Sequence, residues 1–174
     1  MNKFLIDISK DCKQGGYCNV LNIINHENLV FKQFDYKKNA KEAYKYQAIL
    51  AQFDLAPKIH SDICKLEFAP LGTIAFKDKS LWGFVTEKAE PIDDNNQNMI
   101  LIQDLVEHIA VKADLKFWDC HWYNVGLVKR GKKKKLVCID TGKESFDGYS
   151  NAWGNPDPGP KCSYCDTYIC KCEE

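Results

Sequence analysis

Apolar and polar positions along the chain follow the spacing of strands first and of helices later. Phe4 to Ile8 is a short apolar run, Val20 to Ile24 resumes the alternation, and Leu29 to Phe34 repeats it. Two turn-forming stretches separate them, Lys10 to Tyr17 with Gly15-Gly16 inside it and Asn25-His26-Glu27-Asn28. The pattern predicts a three-stranded meander. From Asn39 to Phe53, Ala43, Tyr46, Ala48, Ile49, Leu50 and Phe53 fall near helical spacing, with Asn39 as the expected cap and Pro57 as the stop. Gly72 to Phe76 and Trp82 to Glu87 read as two further strands around the turn Lys77 to Ser80.

The polar stretch Asp93 to Asn98 has little apolar surface to bury, and it reads as a linker or helix entry between two lobes. Met99 to Ala113 carries Ile102, Leu105, Val106, Ile109 and Ala113 on one face, which predicts an amphipathic helix. Tyr123 to Val128 and Leu136 to Ile139 flank the basic stretch Lys129 to Lys135 as the two arms of a hairpin. From Lys143 onward the chain is rich in Gly, Pro, Asn and Asp and is expected to be irregular. The expected class is α+β, an antiparallel sheet with one helix followed by a smaller helical and hairpin part. The expected divisions are 1–90, 91–150 and a cysteine-rich tail, 151–174.

A length of 174 residues allows one compact domain or a lean two-lobed one, and the 45% hydrophobic content excludes wholesale disorder. Lys and Arg total 24 against 24 Asp and Glu, so the net charge of zero calls for neither a nucleic-acid nor a membrane-surface partner. Arg130 is the only arginine. Phosphate chemistry would therefore use lysine, backbone amides or metal in place of arginine forks. The N-terminal segment is too short and polar for a secretory h-region, and no segment approaches the roughly 18 apolar residues of a membrane span, so the cytoplasm is the expected compartment.

The segment Trp118-Asp119-Cys120-His121-Trp122-Tyr123-Asn124 is followed by Ile139-Asp140-Thr141-Gly142 at the end of the hairpin. Phosphoryl transfer needs a carboxylate to orient the nucleophile and hard oxygen ligands to hold Mg²⁺ against phosphates, and Asp119, Asn124 and Asp140 supply these groups. In these motifs the chain resembles the protein-kinase-like superfamily, and its Asp-x-His-x-x-Asn loop is most similar to the aminoglycoside-phosphotransferase branch. The resemblance implies a two-lobed kinase-like fold with Asp119 as catalytic base, Asn124 and Asp140 as magnesium ligands, and His121 bracing the loop. It also implies that Lys32 grips the ATP phosphates, that Glu42 on the following helix positions Lys32, and that Gly15 and Gly16 cover phosphates. Glu87 and Ala89 would present backbone groups to adenine.

The sequence departs from the family in three places. Phe117-Trp118 stand where protein kinases have His-Arg, and Thr141 stands where an aromatic is usual. Only 32 residues follow Gly142, so the C-terminal lobe is much reduced. The implied function is a minimal ATP- and Mg²⁺-dependent phosphotransferase acting on an alcohol group, either a protein Ser/Thr or a small-molecule hydroxyl. The alternative is a pseudokinase or partner-binding module of inhibitor type on the same fold. Such economy suits a virus-encoded protein, whose compartment would be the host cytoplasm.

Two features stand outside this scheme. Cys162, Cys165, Cys170 and Cys172 crowd into eleven residues, enough thiolates for a tetrahedral structural Zn²⁺. The four-residue separation of the pairs is short, so a ligand from Cys120, Cys138 or His121 is an alternative, as are an iron–sulfur cluster and free or disulfide-linked thiols. The Lys129 to Lys135 run reads as a solvated hairpin tip. It lacks interleaved aromatics, and nucleic-acid binding is not expected of it.

Overall fold

The computed structural model of the chain describes residues 4–7, 13–14, 18–34, 36–66, 82–93 and 95–146. The strands around Gly72 to Phe76, Gly15-Gly16 and the cysteine tail lie outside them. The described residues form a mixed α+β structure with two antiparallel sheets and two long helices. The first sheet contains β1 (Lys13–Gln14), β2 (Cys18–Asn22), β3 (Leu29–Phe34), β4 (Cys64–Lys65) and β5 (Trp82–Glu87), in the spatial order β1-β2-β3-β5-β4. Between β3 and β4 runs α1 (Lys37–Gln52). The second sheet is the hairpin of β6 (Val125–Arg130) and β7 (Lys133–Cys138), preceded by α2 (Asn96–Ala113).

The central strand β3 has buried residues on both faces, and its alternation decides what each face does. Phe31 packs with Leu21, Ile23 and Val85 on the outer face, closed over by Phe4 and Ile6. On the opposite face Phe34 and Phe84 pack with Ala40 and Ala43 of α1. Lys32 alternates with Phe31 and shares its face with Phe34, so its side chain is carried to the α1 face, where it is largely buried.

α1 joins the two parts. Its buried stripe is Ala40, Ala43, Gln47 and Leu50, at the three- and four-residue spacing of one helix face. The two alanines lie against the sheet, while Leu50 enters a second core with Leu55, Ile102, Leu105, Val106, Ile109, Phe117, Val125 and Cys138. Each fully buried Leu or Ile there contributes about 1.5–3 kcal/mol.

Several boundaries differ from the sequence expectation. α1 begins at Lys37 behind Tyr36, whose side chain makes no capping hydrogen bond, so Asn39 lies inside the helix and is not its cap. The polar stretch before α2 is a helix entry, in which the Asn95 side chain accepts from Asn98 N at 2.9 Å. The largest difference is in the hairpin. The lysine run expected at its tip lies mostly in the ladder, which continues to Arg130↔Lys133 and leaves only Gly131 and Lys132 in the turn. Gly131 takes φ +62°, as a two-residue turn of this hand requires. No helix of the described residues is long and apolar enough to cross a membrane.

β5 closes on β3 through a glycine. A Cβ at Gly83 would lie 1.9 Å from the Lys32 carbonyl oxygen and 2.6 Å from Phe31 Cε1. Gly83→Ala is expected to destabilise the fold by about 3 kcal/mol or more, through overpacking against backbone that cannot yield. Gly131→Ala, with open space around it, should cost only about 1 kcal/mol through its positive φ. Urea titration of both variants checks the contrast.

Candidate active site

Three segments distant in sequence meet beside the α1 face of β3. Lys32 is 6% exposed. Its ammonium donates to the Ile139 carbonyl oxygen at 2.6 Å and to Gln47 Oε1 at 3.3 Å, and lies 5.9 Å from the Phe84 ring centroid. A buried ammonium is tolerated only where its protons find oxygen, and here both oxygens are neutral.

Ile139 couples this lysine to the Asp119 loop. Its N–H donates to the Asn124 carbonyl at 2.9 Å, and the Asp140 N–H reaches the same oxygen at 3.2 Å. The strand end that receives Lys32 on one side therefore receives the loop on the other. Asp140 is held at its own turn, with Oδ1 accepting from Gly142 N at 3.0 Å and its carbonyl oxygen accepting from Cys138 Sγ at 3.1 Å.

Within the loop, Asn124 Nδ2 donates to the Asp119 carbonyl at 2.9 Å and to Asp119 Oδ2 at 2.8 Å. Two acceptors at that end fix the amide's orientation and turn Oδ1 away from Asp119. His121 Nδ1 accepts from Tyr123 N at 3.3 Å, and its Nε2 lies 3.1 Å from Asn124 Nδ2 and 3.4 Å from Asp119 Oδ1. Asp119 Oδ2 is thereby held from within the loop, and Oδ1 faces the His121 ring.

The remaining candidates divide. Lys32, Asp119, Asn124 and Asp140 are brought together. Glu42 is not Lys32's partner. It lies about 140° around α1 from Gln47, lining a cleft of about 90 Å³ with Phe34, Asn39, Gly142, Lys143 and Glu144. The place beside Lys32 is taken by Gln47, which is fully buried. Its Oε1 also accepts from Thr141 Oγ1 at 3.4 Å, while Nε2 donates to the Pro57 carbonyl at 2.9 Å and to Thr86 Oγ1 at 2.5 Å. The signal for Gln47 was present in the sequence as a polar side chain in register with Ala40, Ala43 and Leu50. Glu87 spends its N–H on the Lys58 carbonyl at 3.0 Å and its carboxylate on Lys58 N and Arg130. That leaves its carbonyl and Ala89 for any hinge role. Gly15, Gly16 and the four tail cysteines lie outside the described residues.

Glu144 was missed entirely. Burial raises its carboxyl above the ordinary value of 4.5, and the charges of Asp140, Glu42 and Asp119 add to the shift. Four carboxylates therefore share one field, with Lys32 as the buried cation near them. The Cys138 thiol is pushed well up by burial and by Asp140, against the opposing pull of Lys32. Among the described residues no three His, Cys, Asp or Glu side chains form a preassembled metal-binding group. Mg²⁺ does not require one, since it commonly takes one or two protein oxygens and fills its shell with water and phosphate. The Asp140 carboxylate and the outward Asn124 Oδ1 fit that demand.

Compared with models of known families and with curated proteins, the chain matches none.

Two sets of outcomes follow from this geometry. Gln47→Leu keeps the volume but strands the Pro57 carbonyl and one donor position of Lys32, and should cost about 2–4 kcal/mol in urea unfolding. Glu42→Gln should leave stability within about 0.5 kcal/mol. For Glu144 the raised carboxyl penalises the folded state above its folded pKa, and the penalty vanishes below 4.5. Glu144→Gln should therefore be the more stable form at pH 7, by under about 1 kcal/mol after solvent screening, with the gain gone near pH 4. Melting curves at both pH values measure the difference.

Proposed function

We propose that the chain is a kinase-like phosphotransferase that moves the γ-phosphoryl group of ATP to a hydroxyl acceptor, with a sheet-and-α1 N-lobe and, among the described residues, α2, the Asp119 loop and the β6–β7 hairpin in its C-lobe. One observation carries this proposal. The single residue Ile139 hydrogen-bonds Lys32 on one side and Asn124 on the other, immediately before Asp140. That coupling joins a strand-borne cation to both oxygen donors of a metal site.

In this reading Lys32 binds the phosphates, its ammonium already stripped of water and so more strongly attracted to an anion than a solvated lysine. Asn124 and Asp140 would hold Mg²⁺, which when bound offsets the negative charge that develops on the transferred group. Asp119 receives the acceptor's proton through whichever oxygen the acceptor displaces from Asn124 or His121, and those two residues keep the carboxylate aimed. The acceptor is a protein Ser/Thr or a small-molecule hydroxyl. Gln47 in place of a carboxylate supports a second reading, a kinase-like module that binds a partner without transfer.

A zinc in the tail, if bound, would draw on Cys162, Cys165, Cys170 and Cys172. Cys120 and Cys138 are both 0% exposed within the core, and His121 is committed to the Asp119 loop. Metal analysis of the purified protein should then give one zinc per chain, lost in Cys162→Ser with Cys165→Ser.

The catalytic proposal predicts a melting-temperature rise with ATP that requires Mg²⁺, together with label transfer from γ-labelled ATP. Asp140→Ala should abolish the Mg²⁺-dependent rise. Asp119→Ala should keep the rise but lose about 10²–10⁴-fold in transfer rate. Nucleotide binding without transfer, unchanged in both variants, would favour the second reading, and no Mg²⁺-dependent binding at millimolar ATP would end the first.

A further inference from the structure

Arg130, Lys134 and Lys135 of the hairpin pair with carboxylates at the end of α1, at the end of β5 and just beyond it. Arg130 Nε donates to Asp54 Oδ1 at 2.5 Å and Nη1 to Glu87 Oε1 at 2.9 Å. The second oxygen of each carboxylate is also engaged, Asp54 Oδ2 by Lys135 Nζ at 3.2 Å and Glu87 Oε2 by Lys58 N at 2.8 Å. Lys134 pairs with Glu90. Backbone bonds lie beneath these ion pairs. Glu90 and Leu127 exchange two hydrogen bonds of 2.8 Å, and Cys138 N donates to the Leu55 carbonyl at 2.9 Å. There is no slack at this junction, because a Cβ on Gly126 would lie 2.9 Å from Ala89 Cβ and 3.0 Å from the Glu90 carbonyl oxygen.

Three details make Arg130 more than one surface cation among many. It is the only arginine in the chain, and a planar fork can reach two carboxylates at once where a lysine presents a single nitrogen. Its side chain is 18% exposed, and Nη2 is buried without a hydrogen-bond partner, so the position costs something that the two carboxylates must offset. Asp54 follows α1 in a left-handed conformation, φ 59°, where glycine would sit without strain. The aspartate there brings acceptors for both Arg130 and Lys135. Burial alone would raise its carboxyl, but the hydrogen bonds from those two residues hold it below the ordinary value.

The β6–β7 ladder links this junction to the candidate site. It begins one residue after Asn124, ends two residues before Asp140, and is paired over its whole length. Six residues span about 17–20 Å, so a tilt of about 5° at the far end displaces the near end by about 1.5 Å. That is enough to break the 2.6 Å bond between Lys32 and Ile139. We propose that Arg130, through Asp54 and Glu87, is a positioning residue that sets the spacing between Lys32 on one lobe and Asn124 and Asp140 on the other. Its effect on turnover rests on the phosphotransferase reading; the clamp itself does not.

Arg130→Gln, Arg130→Lys, Asp54→Asn and the Arg130→Gln/Asp54→Asn double variant test this on the full chain, well below the lowest melting temperature. Backbone amide exchange at Glu90, Leu127 and Cys138, whose N–H groups bond across the junction, is followed without nucleotide. Faster exchange in Arg130→Gln and Asp54→Asn, with no further gain in the double variant, supports the clamp even if the wild type transfers no phosphate. Unchanged exchange, or fully additive gains, overturns it. With Mg²⁺ and ATP, kcat should fall by about ten- to a hundredfold in Arg130→Gln while KM for ATP stays within about threefold, with partial recovery in Arg130→Lys. Faster exchange with an unchanged kcat in an active wild type would overturn the positioning role.

Discussion

A buried ammonium that is satisfied by a backbone carbonyl is the constraint on which the site depends. Lys32 is placed on an inner strand face by the alternation of β3, and little of it reaches water. An unpaired cation there would cost several kcal/mol, so the Ile139 carbonyl is held where it is by need as much as by the path of β7. Because Ile139 N–H and Asp140 N–H both converge on the Asn124 carbonyl, the same requirement draws the Asp119 loop into place. Three segments are thus registered by hydrogen bonds to one residue, and the hydrophobic core built on α2 supports them from below.

Gln47 shapes the electrostatics of that arrangement. As a neutral amide it accepts from Lys32 and Thr141 while donating to Pro57 and Thr86, so it satisfies four groups and neutralises none. The charge of Lys32 therefore remains unspent by Gln47, and the negative charge of the region lies on Asp140, Glu144, Glu42 and Asp119, which act on one another. Such a separation raises the cost of the site when empty and favours whatever supplies an anion to the lysine and a cation to the carboxylates together. In the proposed function, Mg²⁺-bound phosphate is that ligand.

The parts of the fold governed by periodicity were legible in the sequence. α2 with its apolar face, β3 and β5 follow from spacing alone, because burial of one face dominates their energetics, whereas on α1 only Ala43 and Leu50 of the expected positions are buried and Phe53 is exposed. Tertiary contact decided the rest. Asn39 has the right chemistry for a cap, yet packing of Ala40 and Ala43 on the sheet carries the helix past it to Lys37. The lysines of the hairpin were misread as a turn because Lys is polar at its tip. Its aliphatic stem tolerates a strand, and Asp54 and Glu90 wait opposite two of them. For the candidate site, residue type singled out Asp119, Asn124 and Asp140, and the family resemblance added Lys32. The resemblance names Glu42 as the partner of Lys32, whereas helix geometry puts the amide of Gln47, five residues further on, beside it. Glu144 carried no motif, and only the fold brings it near Asp140.

The account is tested most directly by a structure of the protein with Mn²⁺ and a non-hydrolysable ATP analogue. The metal is expected within about 2.0–2.3 Å of a carboxylate oxygen of Asp140 and of Asn124 Oδ1, with a phosphate oxygen within about 3 Å of Lys32 Nζ. Metal and phosphate bound away from these three residues, with Lys32 still committed only to Ile139 and Gln47, would contradict it.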